Sequence, residues 1–186
     1  MTSQPAPGRK APRPVTRPSL EKAALRYLER FASSTANLRR VLMRKVERSA
    51  RDHGTDAEEG ARWVEDLLAR YQRSGLLDDD TYAQMRTASL HRRGASTRAI
   101  RATLAAKGIG RDETERALEA LDEEVGGEAD LSAALALARR RKLGPYRRPE
   151  ARAAFRDKDL AALGRAGFAY EVARRVVDAD DPEAPA

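Results

Sequence analysis

The chain has 186 residues, with 36 Lys or Arg against 29 Asp or Glu, no cysteine and 5% aromatic residues. The absence of cysteine excludes a disulfide framework, a Cys-ligated zinc and a thiol nucleophile. A chain this charged (35% Asp, Glu, Lys and Arg) and poor in Val/Ile runs suits amphipathic helices with narrow apolar stripes, not buried strands.

Residues 1–18 hold five prolines and four cations (Arg9, Lys10, Arg13, Arg17) with no acid, which predicts a disordered Pro/Arg-rich tail. No apolar h-region stands at the start, and no stretch approaches the roughly 20 apolar residues that span a bilayer. A cytoplasmic protein without membrane contact is expected. Ser19 reads as the N-cap of a first helix carrying Ala24, Leu25, Leu28 and Phe31. Ser34 caps a second, with Leu38, Val41, Leu42 and Val46 on one stripe. A third starts after Asp56, carries Trp63, Val64, Leu67, Leu68 and Tyr71 as core residues, and closes at Gly75.

Asp78, Asp79 and Asp80 open the next helix, which Gly94 ends. Ser96 or Thr97 caps its successor, with Ile100 and Leu104 inward and Gly108 at its end, and Asp112 starts a third. The acidic stretch 122–130 reads as a linker. Leu131, Leu135 and Ala138 mark another helix, Pro149 begins one more, and Leu160 and Leu163 precede Gly167-Phe168, with Val172 and Val176 on the last helix. Residues 178–186 carry four acids and no base, so the two tails cancel and the whole excess of +7 belongs to the body.

The register repeats. Ser34-x3-Leu38-x3-Leu42-x2-Lys45 recurs 62 residues later as Ser96-x3-Ile100-x3-Leu104-x2-Lys107. The expected organisation is an all-α chain of three tandem three-helix repeats at 19–76, 77–125 and 126–178, between a tail at 1–18 and an acidic tail at 179–186. The first repeat departs from this pattern. No glycine follows Lys45, and about ten extra residues, ending near His53-Gly54, precede its third helix.

Gly75-Leu76-Leu77-Asp78-Asp79-Asp80-Thr81-Tyr82-Ala83, then Arg92-Arg93-Gly94, then Ile100-Arg101-x2-Leu104-x2-Lys107-Gly108 resemble the central repeat of the RecX family. Leu25-Arg26-Tyr27-Leu28 and Ser34-x3-Leu38-Arg39-x2-Leu42 resemble its first repeat, and Lys158-x-Leu160-x2-Leu163-x-Arg165-x-Gly167-Phe168 its third. The resemblance covers about residues 20–178. It implies an elongated, curved arm of helical modules, of either hand. It also implies a regulator that binds RecA recombinase filaments on DNA and limits their growth, ATP hydrolysis and strand exchange, in recombinational repair and the SOS response; separately, a monomer is expected. The extra residues after Lys45 put in doubt any family contact made by that corner.

Chemistry-bearing residues are few. Asp78, Asp79 and Asp80 diverge at a helix start, where capping and the helix dipole explain them better than a cation does. His53 reads as a turn residue and His91 as part of a basic helix end, solvated or touching phosphate, with no nucleophile or carboxylate spaced as a catalytic partner. Gly126-Gly127 lacks the Lys-Ser/Thr of a phosphate loop. No enzyme activity, cofactor or metal is expected.

Basic clusters remain: Arg39, Arg40 and Arg44 with Lys45; Arg92, Arg93, Arg98 and Arg101, with Lys107 closing the same repeat; and Arg139, Arg140, Arg141, Lys142, Arg147 and Arg148 around Gly144-Pro145-Tyr146. Solvated helix ends account for any one of them. As a set they suit an acidic recombinase surface or the phosphates of single- or double-stranded DNA, and a flexible basic turn with one aromatic suits phosphate contact plus base stacking. A stand-alone helical nucleic-acid-binding protein is the alternative reading.

Overall fold

A computed structural model describes residues 13–181. The tail assignments at 1–12 and 182–186 lie outside the described residues. Those described are all-helical: α1 (Arg17–Leu28), α2 (Thr35–His53), α3 (Ala57–Arg73), α4 (Asp79–Arg92), α5 (Thr97–Ala106), α6 (Arg111–Glu124), α7 (Ala129–Arg141), a 3-10 turn (Gly144–Tyr146), α8 (Pro149–Arg165) and α9 (Tyr170–Val177). They divide into two compact units, one ending at Asp78 and one beginning at Asp79.

In the first unit α1, α2 and α3 pack mutually around Leu20, Ala24, Leu38, Leu42, Val46, Val64, Leu67, Leu68, Tyr71 and Leu77. Ser34 accepts from the Asn37 N–H and sets the α2 register, so the i, i+4, i+8 residues Leu38, Leu42 and Val46 are fully buried. Each such side chain contributes about 1.5–3 kcal/mol. Trp63 is half-buried against this core and Tyr71 is inside it. Gly60 lets α3 close on α2, because a Cβ there would stand 2.5 Å from Val46 Cγ1.

The extra residues after Lys45 are helical. Without a glycine to stop it, α2 runs 19 residues to His53 and is capped by Gly54 in the left-handed region (φ 66°). After Lys107, by contrast, Gly108 (φ 77°) ends α5 at 10 residues. The added turns serve the fold: Ser49, buried on them, accepts from the Val15 N–H (2.8 Å) and the Thr55 hydroxyl (2.9 Å).

The second unit has two cores. Tyr82, Ala83, Ile100, Leu104, Ile109, Ala117 and Leu118 fill the space among α4, α5 and α6. Leu131, Ala134, Leu137, Leu143, Leu163, Phe168, Val176 and their neighbours form the other. Polar groups knit the two together. Ser96 caps α5 and donates to the Ala166 carbonyl (2.8 Å), and the Thr97 N–H donates to Asp130 (2.7 Å). Gly94 (φ 76°) presses the α4–α5 turn onto α7, where a Cβ would meet the Leu137 N at 2.7 Å and the Ala133 O at 2.9 Å.

Four local expectations change. Thr16, not Ser19, caps α1: Ser19 is the third helical residue of a reciprocal capping box, and Arg17 and Pro18, assigned to the tail, are helical. Proline needs no N–H partner in a first turn, so it does not delay the helix. The linker shrinks to 125–128, because α6 continues to Glu124 and α7 starts at Ala129. Gly110 occupies the N-cap of α6, so that helix starts at Arg111, one residue before Asp112. His91 is buried rather than solvated, with Nε2 2.9 Å from the Ala129 carbonyl and 3.0 Å from the Ser132 hydroxyl.

Candidate polyanion-binding site

The densest basic stretch is a built corner. α7 ends in Arg139, Arg140 and Arg141, and Lys142 turns the chain through the left-handed region (φ 55°), the one described non-glycine residue with positive φ. Leu143 anchors in the core, the 3-10 turn follows, and Arg148 precedes Pro149, the first residue of α8. Asp159 holds the corner from inside. Its carboxylate, 2% exposed, accepts from the Gly144 N–H (2.9 Å) and from Nε and Nη2 of Arg147 (2.7 Å each). Burial pushes the Asp159 carboxyl up, but the Arg147 fork, the Gly144 N–H and the Arg147 charge together hold it below the ordinary carboxylate range. The Arg147 guanidinium lies 4.4 Å from the Phe155 ring centroid, and Arg152 donates to the Pro145 carbonyl (2.7 Å). The corner is therefore pinned, where a flexible turn was expected.

The predicted cations separate by partner. Arg39 forks onto Glu65 (2.7 and 2.6 Å) and Arg101 onto Glu115 (2.9 Å twice). These two arginines follow Leu38 and Ile100, the same repeat position, and both tie a second helix to a third. Arg147 is committed to Asp159. Arg40 and Lys107 each have an interaction partner within the fold. Arg140 donates to the Arg93 carbonyl (2.6 Å) without meeting a carboxylate. Arg44, Arg92, Arg93, Arg98, Arg139, Arg141, Lys142 and Arg148 are exposed and have no carboxylate within ion-pair distance among the described residues.

Two of the three sequence clusters thus meet. The Arg140–Arg93 bond brings Arg92 and Arg93 beside the end of α7. At the same end of α7 is a cavity of about 490 Å³ lined by Arg139, Lys142, Tyr146, Arg147, Arg148 and Ala151, with no acid in its wall. The C-terminus of α7 supplies about half a negative charge, too little to offset the cations gathered there. Asp159, Phe155 and Arg152, which shape the corner, went unnoticed in the sequence. The one available signal was an acid on an apolar helix face, four residues before Leu163.

Among the described residues no three His, Asp or Glu side chains gather as a metal site, and no helix is long and apolar enough to cross a membrane. The described residues define a helical protein with an acid-free basic corner.

Comparison with known proteins narrows the class. A profile of the RecX second three-helix domain matches residues 78–118. The regulatory protein RecX of Myxococcus xanthus (strain DK1622) is 43% identical over 174 residues, spanning 93% of this chain and 91% of that protein. The regulatory protein RecX of Agrobacterium fabrum (strain C58) is 32% identical over 162 residues, or 87% and 83% of the two chains. No solved structure matches the chain significantly. The chain belongs to the RecX family of regulatory proteins.

Proposed function

We propose that this RecX-family chain binds the RecA recombinase filament and restrains its ATP hydrolysis, extension and strand exchange, acting as a monomeric, non-catalytic regulator in the cytoplasm during recombinational repair and the SOS response. Family membership supports the partner. The observation that carries the physical reading is the acid-free basic corner of the second unit, where Arg92, Arg93, Arg139, Arg140, Lys142 and Arg148 stand without carboxylates beside a cavity. A nucleoprotein filament offers what such a corner attracts, a regular polyanion with acidic protein surface around it.

On this reading, three helical modules near 19–76, 77–125 and 126–178 share the binding, each weakly, and linkage makes the sum strong. Inhibition requires only that the chain prefer one filament state over another. The test is ATP hydrolysis by a preformed RecA filament on single-stranded DNA, titrated with the purified chain at low salt. The expected result is progressive loss of hydrolysis together with cosedimentation. An unchanged rate at stoichiometric chain would overturn the proposal.

A further inference from the structure

We infer that the cavity at the α7–α8 corner is a binding site for single-stranded nucleic acid, seating one base against Tyr146 with its flanking phosphates among Arg139, Lys142 and Arg148. The inference goes beyond the filament reading, because binding here requires no recombinase.

Charge comes first. Six residues line the cavity; apart from Ala151 and Tyr146, all four are cations, and no carboxylate lines the wall. One of them, Arg147, is neutralised from behind by Asp159 and fixed on Phe155, so it frames the cavity. Arg139, Lys142 and Arg148 have no carboxylate partner and are free to take an anion. Lys142 holds its place at a conformational cost of about 1–2 kcal/mol that glycine would avoid. Helix stops elsewhere in the fold use glycine at positive φ, among them Gly54, Gly75, Gly94 and Gly108.

Shape and aromatic content decide which polyanion. Tyr146 packs partly on the core while lining the cavity, so its ring is anchored rather than mobile. A volume of about 490 Å³ lies within the range of small-ligand clefts, ~300–1,000 Å³, and suits a base. A duplex keeps its bases stacked inside and would present phosphates alone, leaving ring and cavity unused. An acidic protein loop would likewise use the cations without the aromatic. A single strand uses both, because any unpaired base can stack on an aromatic while its phosphates meet cations. The exposed Arg92 and Arg93, joined to α7 through Arg140, extend the cationic surface beyond one nucleotide.

The test uses the full chain without recombinase and a 12- to 15-nucleotide oligonucleotide carrying 2-aminopurine, compared with a hairpin duplex of equal charge. The single strand should bind at least about 10-fold tighter than the hairpin and show stacking-dependent quenching. Tyr146→Phe should keep the quench, and Tyr146→Ala should lose it along with about 10-fold in affinity. Changing Arg139, Lys142 and Arg148 together to Ala should flatten the log affinity–log salt slope by about 2. Photocrosslinking of a 5-iodouracil oligonucleotide to the wild-type chain, mapped by mass spectrometry, gives a readout independent of any variant's folding and should mark Tyr146. Equal affinity for the duplex, a quench unchanged in Tyr146→Ala, or crosslinks confined to other segments would overturn the site. Because RecA is absent from these measurements, their failure leaves the filament proposal standing, and loss of the ATPase effect leaves this site standing.

Discussion

Arg39-Arg40 in the first unit and Arg139-Arg140 in the second are the same dipeptide at helix positions, yet they are used differently. Arg39 lies across α2 and α3 and is closed by Glu65, so its charge belongs to the fold. Arg139 lies at the end of α7 beside a cavity with no acid, so its charge faces outward. The interiors differ in the same sense. Both units bury a capping serine, Ser34 and Ser96, and the first adds Ser49 as a polar tie, whereas the second also buries the ionisable side chains His91 and Asp159 and uses each to fasten a turn or helix end. Local charge density therefore says little about available charge. What decides is whether an acid stands on the neighbouring helix.

The contrast can be broken most forcefully at Asp159. Replacing it with Ala strands the Arg147 guanidinium and the Gly144 N–H, which should cost the second unit about 4 kcal/mol. Trp63, the single tryptophan, reports on the first unit. In denaturant, the midpoint by circular dichroism should fall while the Trp63 fluorescence midpoint holds, and a common shift would show that the units unfold as one. The same carboxyl predicts a pH effect. Its folded pKa lies below the unfolded value, so its stabilisation is present above about pH 4 and is lost as pH falls through the folded pKa. Asp159→Asn should remove that acid-side dependence from unfolding midpoints measured between pH 7 and pH 3.

A smaller effect separates two glycines of similar φ. Gly94→Ala drives a methyl into the α7 backbone and should cost about 3 kcal/mol, whereas Gly75→Ala meets nothing within 4 Å and should cost about 1 kcal/mol. Thermal melts of the two variants would show the ratio, and equal costs would mean that the Gly94 contact relaxes freely. The least effect is expected at the exposed forks. Arg39→Ala and Arg101→Ala should each cost under about 1 kcal/mol, because both partners are well solvated and screened. A double-mutant cycle with Glu65 and Glu115 measures the coupling directly.

Much of the helical plan was legible because its signals are local. Ser34, Asp56 and Ser96 cap helices through bonds to residues two or three positions on, and Gly75, Gly94 and Gly108 stop them by a backbone preference carried in the residue itself. Stripe residues such as Leu38, Leu42, Ile100 and Leu104 follow from spacing. The corner was only half legible. Its cations could be counted, but their partners lie at separations no periodicity encodes: 26 residues for Arg39–Glu65, 14 for Arg101–Glu115 and 12 for Arg147–Asp159. The longer α2 makes the first two differ, so even the repeat could not supply the pairing. His91 failed similarly, since its burial depends on α7, 38 residues away at Ala129.

The left-handed backbone at Lys142 has a consequence for how the chain would drift under artificial selection. A library screened for heat resistance alone should enrich Lys142→Gly, which relieves the strained dihedral and raises stability by about 1 kcal/mol. Those survivors would have traded a cation at the rim of the cavity for robustness. The exchange would therefore separate stability from anion affinity at a single position.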